Sequence, residues 1–240
     1  ASTRAKAWGP GRTETKGRQL TGISRGVDPI RNLLRNRPEG KPFVHWLGTS
    51  DPHRGYAKGS GEKSGMDLSK IKLFPHYPDS LEIRGDVADY YFEVQRFDKL
   101  VGNTIAALEE AGELDNTIIV MSGDHGMPFP RCKSNNYDSG ARVPLAIRWP
   151  KKIKAGTVIN DFVSLIDLAP TYFEAAGIAI PGDVSGRSLL PLFAGKDERD
   201  RSFVIHGKER HVPGQEKPDM GGYPTRAIRT HDFLYLHNFR

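Results

Sequence analysis

The spacing of apolar positions changes several times along the chain. From Ser80 onward, Ile83, Val87, Tyr90, Tyr91, Val94, Phe97, Leu100, Val101, Ile105 and Leu108 recur at three- and four-residue steps. That period predicts one long helix with a buried face, ended by Gly112. Ile30, Leu33 and Leu34 predict a shorter amphipathic helix over Asp28–Asn36, stopped before Pro38 and Gly40. Three runs have no helical period: PFVHWLG at 42–48, TIIVM at 117–121 and PLAIRW at 144–149. Short, apolar and bounded by turn formers, they predict buried strands of a central sheet.

Asp167 is placed to cap a helix running to Ala176, with Pro170 in its tolerant first turn and Gly177 closing it. Phe203–His206, Arg226–Thr230 and Phe233–Leu236, the last two turned by His231 and Asp232, predict a small antiparallel sheet. The fold class is therefore α/β: a central sheet flanked by helices, then the start of a smaller carboxy-terminal sheet. Residues 1–22 show neither period and read as an irregular segment. Residues 54–80, polar and glycine-rich, read as a long loop able to wall a cleft.

Composition narrows the partners. The chain has 240 residues, 37% of them apolar, enough for the core of one α/β domain or most of a larger one. Lysine and arginine number 35 against 29 acidic residues, a net charge of +6 that favours anionic partners. The excess forms no arginine-rich tract and no basic stripe interleaved with aromatics, which argues against nucleic acid. A single cysteine, Cys132, excludes an intrachain disulfide and a cysteine zinc cluster. Cys132 reads as an inert thiol despite its neighbours Arg131 and Lys133. No apolar run approaches the roughly 18 residues that span a bilayer.

In open α/β sheets, ligands bind beyond the carboxyl ends of strands, and two predicted strands end in Asp51-Pro-His53 and Asp124-His125. Gly123 and Gly126 frame the second pair, whose carboxylate and imidazole suit a divalent cation. The plainer alternative is a turn-capping aspartate beside a solvated histidine. His53 is of the residue type that serves as a general acid near neutrality, though a histidine after proline in a loop is often simply surface. Lys133, in the loop after Asp124, is able to hold one oxygen of a tetrahedral anion, or to be solvated like most loop lysines.

The string IIVMSGDHGMPFPRCKSNNYDSGARVPLAIRWP, residues 118–150, resembles the second-half signature of the sulfatases: a strand, Asp-His, a loop lysine, then Gly-x-Arg-Val-Pro-Leu before another strand. VSLIDLAPTYFEAAGI at 163–178 and GRSLLPLFAG at 186–195 continue the likeness. DPHR at 51–54, DHGMPFP at 124–130, YPTRAIRT at 223–230 and LYLHNF at 234–239 are most similar to the N-sulfoglucosamine sulfohydrolase (heparan N-sulfatase) branch. Human-type members of that branch carry asparagine and arginine where this chain has His125 and Lys133; other sulfatases carry histidine and lysine.

The resemblance implies an alkaline phosphatase-like fold in three parts: 1–41, an irregular segment and short helix of a larger domain; 42–198, the second half of a catalytic domain; and 199–240, the start of a carboxy-terminal subdomain. It implies that Asp124 and His125 bind a divalent metal (calcium first, manganese or magnesium as alternatives), that Lys133 holds a sulfate oxygen and that His53 protonates the leaving group. His206, Glu209, Arg210, His211 and Arg226 become the candidate contacts to a sulfated carbohydrate, and Arg142 a structural brace. The family's nucleophile is a formylglycine made in a Cys-x-Pro-Ser-Arg type motif. Cys132 is followed by Lys133, Ser134, Asn135 and Asn136, so it does not match, and the 240 residues alone are expected to be inactive. A periplasmic, secreted or lysosome-like compartment goes with the family. The alternatives are a phosphodiesterase or phosphonate monoesterase of the same superfamily, and a noncatalytic sulfated-glycan-binding remnant.

Overall fold

The computed structural model describes residues 27–196, 201–209 and 223–239. The expected irregular segment at 1–22 lies outside them. The chain divides into two compact units that meet at Leu114 and Asp115.

In the first unit, α1 (Asp28–Asn36) has the predicted bounds, with proline in its first turn and Ile30 as its buried anchor. Its Arg31 pairs with Glu110 at 3.2 Å, and Arg37 pairs with Glu113. A short helix, α2 (Ser60–Lys63), and a 3-10 turn at Leu68–Lys70 follow, then the long α3 (Leu81–Glu110). The hydroxyl of Ser80 accepts from the Ile83 amide at the start of α3. At its end the Gly112 amide donates to the Glu109 carbonyl and the Glu113 amide to the Leu108 carbonyl, both at 2.9 Å. This paired closure needs a left-handed residue, and Gly112 supplies it at φ +69°.

Two expectations are corrected here. PFVHWLG joins no strand ladder among the described residues, and Val44 and Trp46 are 78% and 66% exposed. An apolar run becomes a buried strand only where neighbours pair its backbone and cover both its faces. Residues 54–80 are not a bare loop either: they carry α2 and the 3-10 turn. One Arg84 guanidinium nitrogen gathers the carbonyls of Leu68, Ser69 and Ile71 at 3.1, 3.2 and 2.7 Å. The buried face of α3 also departs from the apolar pattern, because it includes Asp89 and Glu93 beside Val87, Ala88, Ala107 and Leu108.

The second unit opens on β1 (Ile119–Ser122), crosses α4 (Asp138–Ala141) and returns as β2 (Leu145–Arg148). The two strands are antiparallel, with Ile119 opposite Arg148 and Ser122 opposite Leu145. A 3-10 turn at Leu165–Asp167 leads into α5 (Leu168–Ala175), then α6 (Leu190–Phe193). Asp167 caps differently from the expectation. It is the acidic end of a capping box whose first member is Ser164. Its carboxylate also accepts from the Arg187 amide at 2.8 Å and from the buried Arg201 guanidinium at 2.8 Å.

The predicted small sheet forms from β3 (Phe203–Lys208), β4 (Thr225–Thr230) and β5 (Leu234–Asn238), all antiparallel in that order. Its pleat puts Val204, His206, Lys208, Ala227 and Arg229 on the covered face, and Ile205, Arg226, Ile228 and Tyr235 on the exposed one. Among the described residues, no helix is long and apolar enough to cross a membrane.

Candidate functional site

The predicted site residues fall in both units. His53 and its flanking residues belong to the first; Asp124, His125, Lys133, His206, Glu209 and Arg226 belong to the second. Arg210 and His211 lie outside the described residues.

In the first unit, the Asp51–Pro52 peptide is cis and the His53 amide turns back to the Ser50 carbonyl at 2.7 Å. His53 Nδ1 lies 2.9 Å from the Arg54 carbonyl. A carbonyl only accepts, so Nδ1 carries the proton of that bond. Arg54 forks onto Asp86 at 2.9 and 2.5 Å, and the hydrogen bond it donates to Asp86 raises its pKa. Tyr56 also reaches Asp86; burial, with the Asp86 charge, pushes its phenol up to about 12.

In the second unit, Asp124 and His125 stand at the end of β1 on backbone that is tightly packed. A Cβ on Gly126 would sit 1.9 Å from the Ser139 carbonyl oxygen, and the Gly126 amide donates to the Gly140 carbonyl at 2.9 Å. Gly126 is thus required by close approach rather than by a sharp turn, and at Gly123 the nearest atom would be an ordinary 3.7 Å away. His125 Nδ1 donates to the Gly126 carbonyl at 2.8 Å. This commits Nδ1 to the backbone and leaves Nε2 facing Asp124 Oδ2 at 3.4 Å. Two electron-pair donors facing one another call for a proton or a cation between them. A histidine whose other nitrogen is held by a carbonyl is also how metal-bound imidazoles are usually braced. The pair therefore fits a divalent ion as two of its ligands. Among the described residues no set of three or more His, Cys, Asp or Glu gathers as a metal cluster.

The loop after His125 folds back on itself. The Lys133 amide donates to the Met127 carbonyl at 3.0 Å, which returns the Lys133 backbone to within two residues of His125. Arg131 and Ser134 take positive φ of 62° and 68°, and Ser139 Oγ donates to the Arg131 carbonyl at 2.7 Å. Cys132 is fully buried inside this loop, in keeping with an inert thiol. The small sheet ties down the same loop: His206 Nε2 donates to the Asn136 carbonyl at 3.1 Å, and the Lys208 ammonium to that of Ser134. Arg229 grips Asp138 through two nitrogens at 3.0 and 3.1 Å. Burial lowers the Lys208 pKa, and the Asp138 hydrogen bond raises that of Arg229.

A cavity of about 990 Å³ opens beside this loop, lined by Asp124, Asp138, Arg142, His206, Arg229 and His231 over an apolar floor. Asp124 and His206 thus share one cavity. Glu209 and Arg226 are paired with each other, Arg226 on the exposed face of the sheet. Sequence reasoning passed over Arg229 and His231. Strand alternation was the available signal for Arg229, since it puts that residue on the face opposite Arg226.

Helices and small antiparallel sheets give the chain an α/β fold, with the Asp-His pair at the end of β1. A solved protein in complex with its substrate D-glucosamine-2-N,6-O-disulfate shares the fold at a TM-score of 0.66 and 23% identity, over 89% of this chain and 60% of that one. Residues 24–178 match the Sulfatase family model, and the chain belongs to the sulfatase family. It is 31% identical over 216 residues to an ulvan-active sulfatase of Formosa agariphila, covering 89% of this chain and 41% of that protein. It is 29% identical over 262 residues to human N-sulphoglucosamine sulphohydrolase, covering 94% of this chain and 50% of that protein. The chain spans half or less of the length of these curated relatives.

Proposed function

We propose that the protein carrying this chain hydrolyses a sulfuric ester or sulfamate on a sulfated carbohydrate, with N-sulfoglucosamine or a heparan-type glycan as the substrate class. The observation that carries this reading is the opposed pair of His125 Nε2 and Asp124 Oδ2, held by the Gly126 carbonyl at the end of β1.

Asp124 and His125 would hold a divalent ion, calcium first and manganese or magnesium as alternatives, which when bound neutralises charge on the sulfuryl group. Lys133 holds a sulfate oxygen, adding preorganised positive charge where the transition state is most negative. His53 gives its proton to the leaving oxygen or nitrogen. Because Nδ1 is committed to the Arg54 carbonyl, the proton delivered from Nε2 is that of the imidazolium. His206, Arg210, His211, Glu209 and Arg226 are the candidate sugar contacts, and the cavity supports His206 first. The attacking group is expected to be a formylglycine, and the 240 residues alone are expected to show no turnover. A periplasmic, secreted or lysosome-like compartment fits this substrate class.

Sulfate release from N-sulfoglucosamine by the full-length, matured protein tests the reading, measured with and without calcium and beside His53→Ala and Asp124→Ala. Calcium-dependent release, lowered at least about a hundredfold in His53→Ala, supports it. Cleavage of a phosphodiester or phosphonate ester in preference to any sulfate ester refutes it, as does glycan binding that needs no metal and leads to no release.

A further inference from the structure

Asp86, Asp89 and Glu93 lie three and then four residues apart along α3, so they fall on one helix face. That spacing would ordinarily be a solvated acidic stripe, yet Asp89 and Glu93 are each only 4% exposed. All three are engaged by the segment 51–61 and its neighbours. Asp86 takes the fork of Arg54 and the hydroxyl of Tyr56. Asp89 accepts the backbone amides of Gly59 and Gly61, both at 2.8 Å, and the Ser60 hydroxyl at 3.4 Å. Glu93 receives Arg96 at 2.9 Å, and the same guanidinium lies 3.4 Å from Asp51. The backbones meet closely enough that a Cβ on Gly61 would lie 2.4 Å from the Ala88 carbonyl oxygen.

His53 sits between the outer two anchors. Asp51, two residues before it, is tied through Arg96 to Glu93; Arg54, directly after it, is tied to Asp86 and supplies the carbonyl that orients its ring. We propose that Asp86, Asp89 and Glu93 are positioning residues, a carboxylate ledge on α3 that holds the Asp51–Gly61 segment and so fixes where His53 presents Nε2. This rests on the reading of His53 as the group that protonates the leaving atom. Burial, with the Asp51 charge, raises the Glu93 pKa against the opposing pull of Arg96.

The test compares two esters in the full-length protein: a sugar sulfate, whose alkoxide leaves poorly, and 4-nitrophenyl sulfate, whose phenolate leaves without a proton. Glu93→Ala and the more exposed Asp86→Ala are expected to lower kcat on the sugar sulfate about ten- to a hundredfold at nearly constant KM, with a smaller loss on the aryl ester. Glu93→Gln is expected to recover most of that rate, because its amide oxygen still accepts from Arg96, the guanidinium that also reaches Asp51. Equal losses on both esters, or a Glu93→Gln variant no better than Glu93→Ala, would overturn the ledge. His53→Gln, run in parallel, judges the underlying reading: if its loss is also equal on both esters, His53 is not the acid. The ledge is then judged by the His53 ring resonance in an NMR titration. A midpoint displaced in Glu93→Ala and Asp86→Ala upholds the positioning; an unchanged one overturns it.

Discussion

Arg201 and Asp167 form the most enclosed ion pair among the described residues, 2.8 Å apart with side chains 1% and 7% exposed. The pair is hydrogen-bonded all round: Asp167 also accepts the amides of Ser164 and Arg187, and Arg201 also donates to the carbonyls of Arg187 and Ser188. It joins the start of α5, the turn before α6 and the approach to β3.

Breaking such a pair costs more than the pair contributes, because the surviving charge is left buried. Arg201→Met is therefore expected to destabilise the protein by about 3–5 kcal/mol, and the double variant Arg201→Met/Asp167→Leu by less than the single one. Urea unfolding of the three proteins checks this. A single variant milder than the double would show that Asp167 finds another counter-charge.

Glu93 makes stability depend on pH with a definite sign. Its folded pKa is raised above the ordinary 4.5, mainly by burial, so the folded protein holds this proton more tightly than the unfolded chain. The contribution is complete below the unfolded value and is lost as pH rises through the folded one. Arg96 and Asp51 are the charged groups facing Glu93. Glu93→Gln is expected to flatten this part of the stability profile; unfolding free energies measured from pH 4 to 8, a window about as wide as such shifts reach, provide the comparison. A slope that survives in the Gln variant would assign it to another group.

The small sheet acts on the loop that carries Lys133 through three tethers: His206, Lys208 and Arg229. Lysine cannot reproduce the two-nitrogen grip of Arg229 on Asp138. Arg229→Lys should lower stability and increase amide exchange between residues 131 and 138. Exchange unchanged in that loop, with the protein destabilised elsewhere, would show that the tether does not order it.

Local signals carried much of the fold. The helix from Ser80 to Gly112 was legible because its cap, its period and its terminating glycine are all written within that stretch. The Asp-His pair stands at the end of β1, as its strand signal predicted, whereas the run before Asp51-Pro-His53 forms no strand. PFVHWLG was not legible, since the burial of an apolar run is decided by partner strands that the run does not encode. Asp89 and Glu93 were equally hidden: on a helix they read as ordinary surface carboxylates, and only the backbone amides and side chains brought onto that face by a distant segment make them core. Arg229 and His231 needed the strand register before the cavity side of the small sheet was defined.

The two glycines that flank the Asp124-His125 pair separate a packing role from a turn role. At Gly126 a methyl group would sit 1.9 Å from the Ser139 carbonyl oxygen and 2.9 Å from the Gly140 Cα, both backbone atoms that no side-chain rotation can move aside. At Gly123 the same methyl would meet nothing nearer than 3.7 Å. Gly126→Ala is therefore expected to destabilise by about 1–3 kcal/mol, the usual range for overpacking, whereas Gly123→Ala stays within about 0.5 kcal/mol. The consequence for chemistry follows from the Gly126 carbonyl, which holds His125 Nδ1 at 2.8 Å. Displacing that oxygen frees the ring to turn Nε2 away from Asp124, and loss of such a brace weakens metal affinity about 10- to 100-fold. Calcium titrations of sulfate release and of thermal midpoint should therefore shift together to higher concentration in Gly126→Ala and not in Gly123→Ala. A Gly126→Ala protein that is destabilised yet keeps its calcium midpoint would mean that the carbonyl braces the fold but not the ligand.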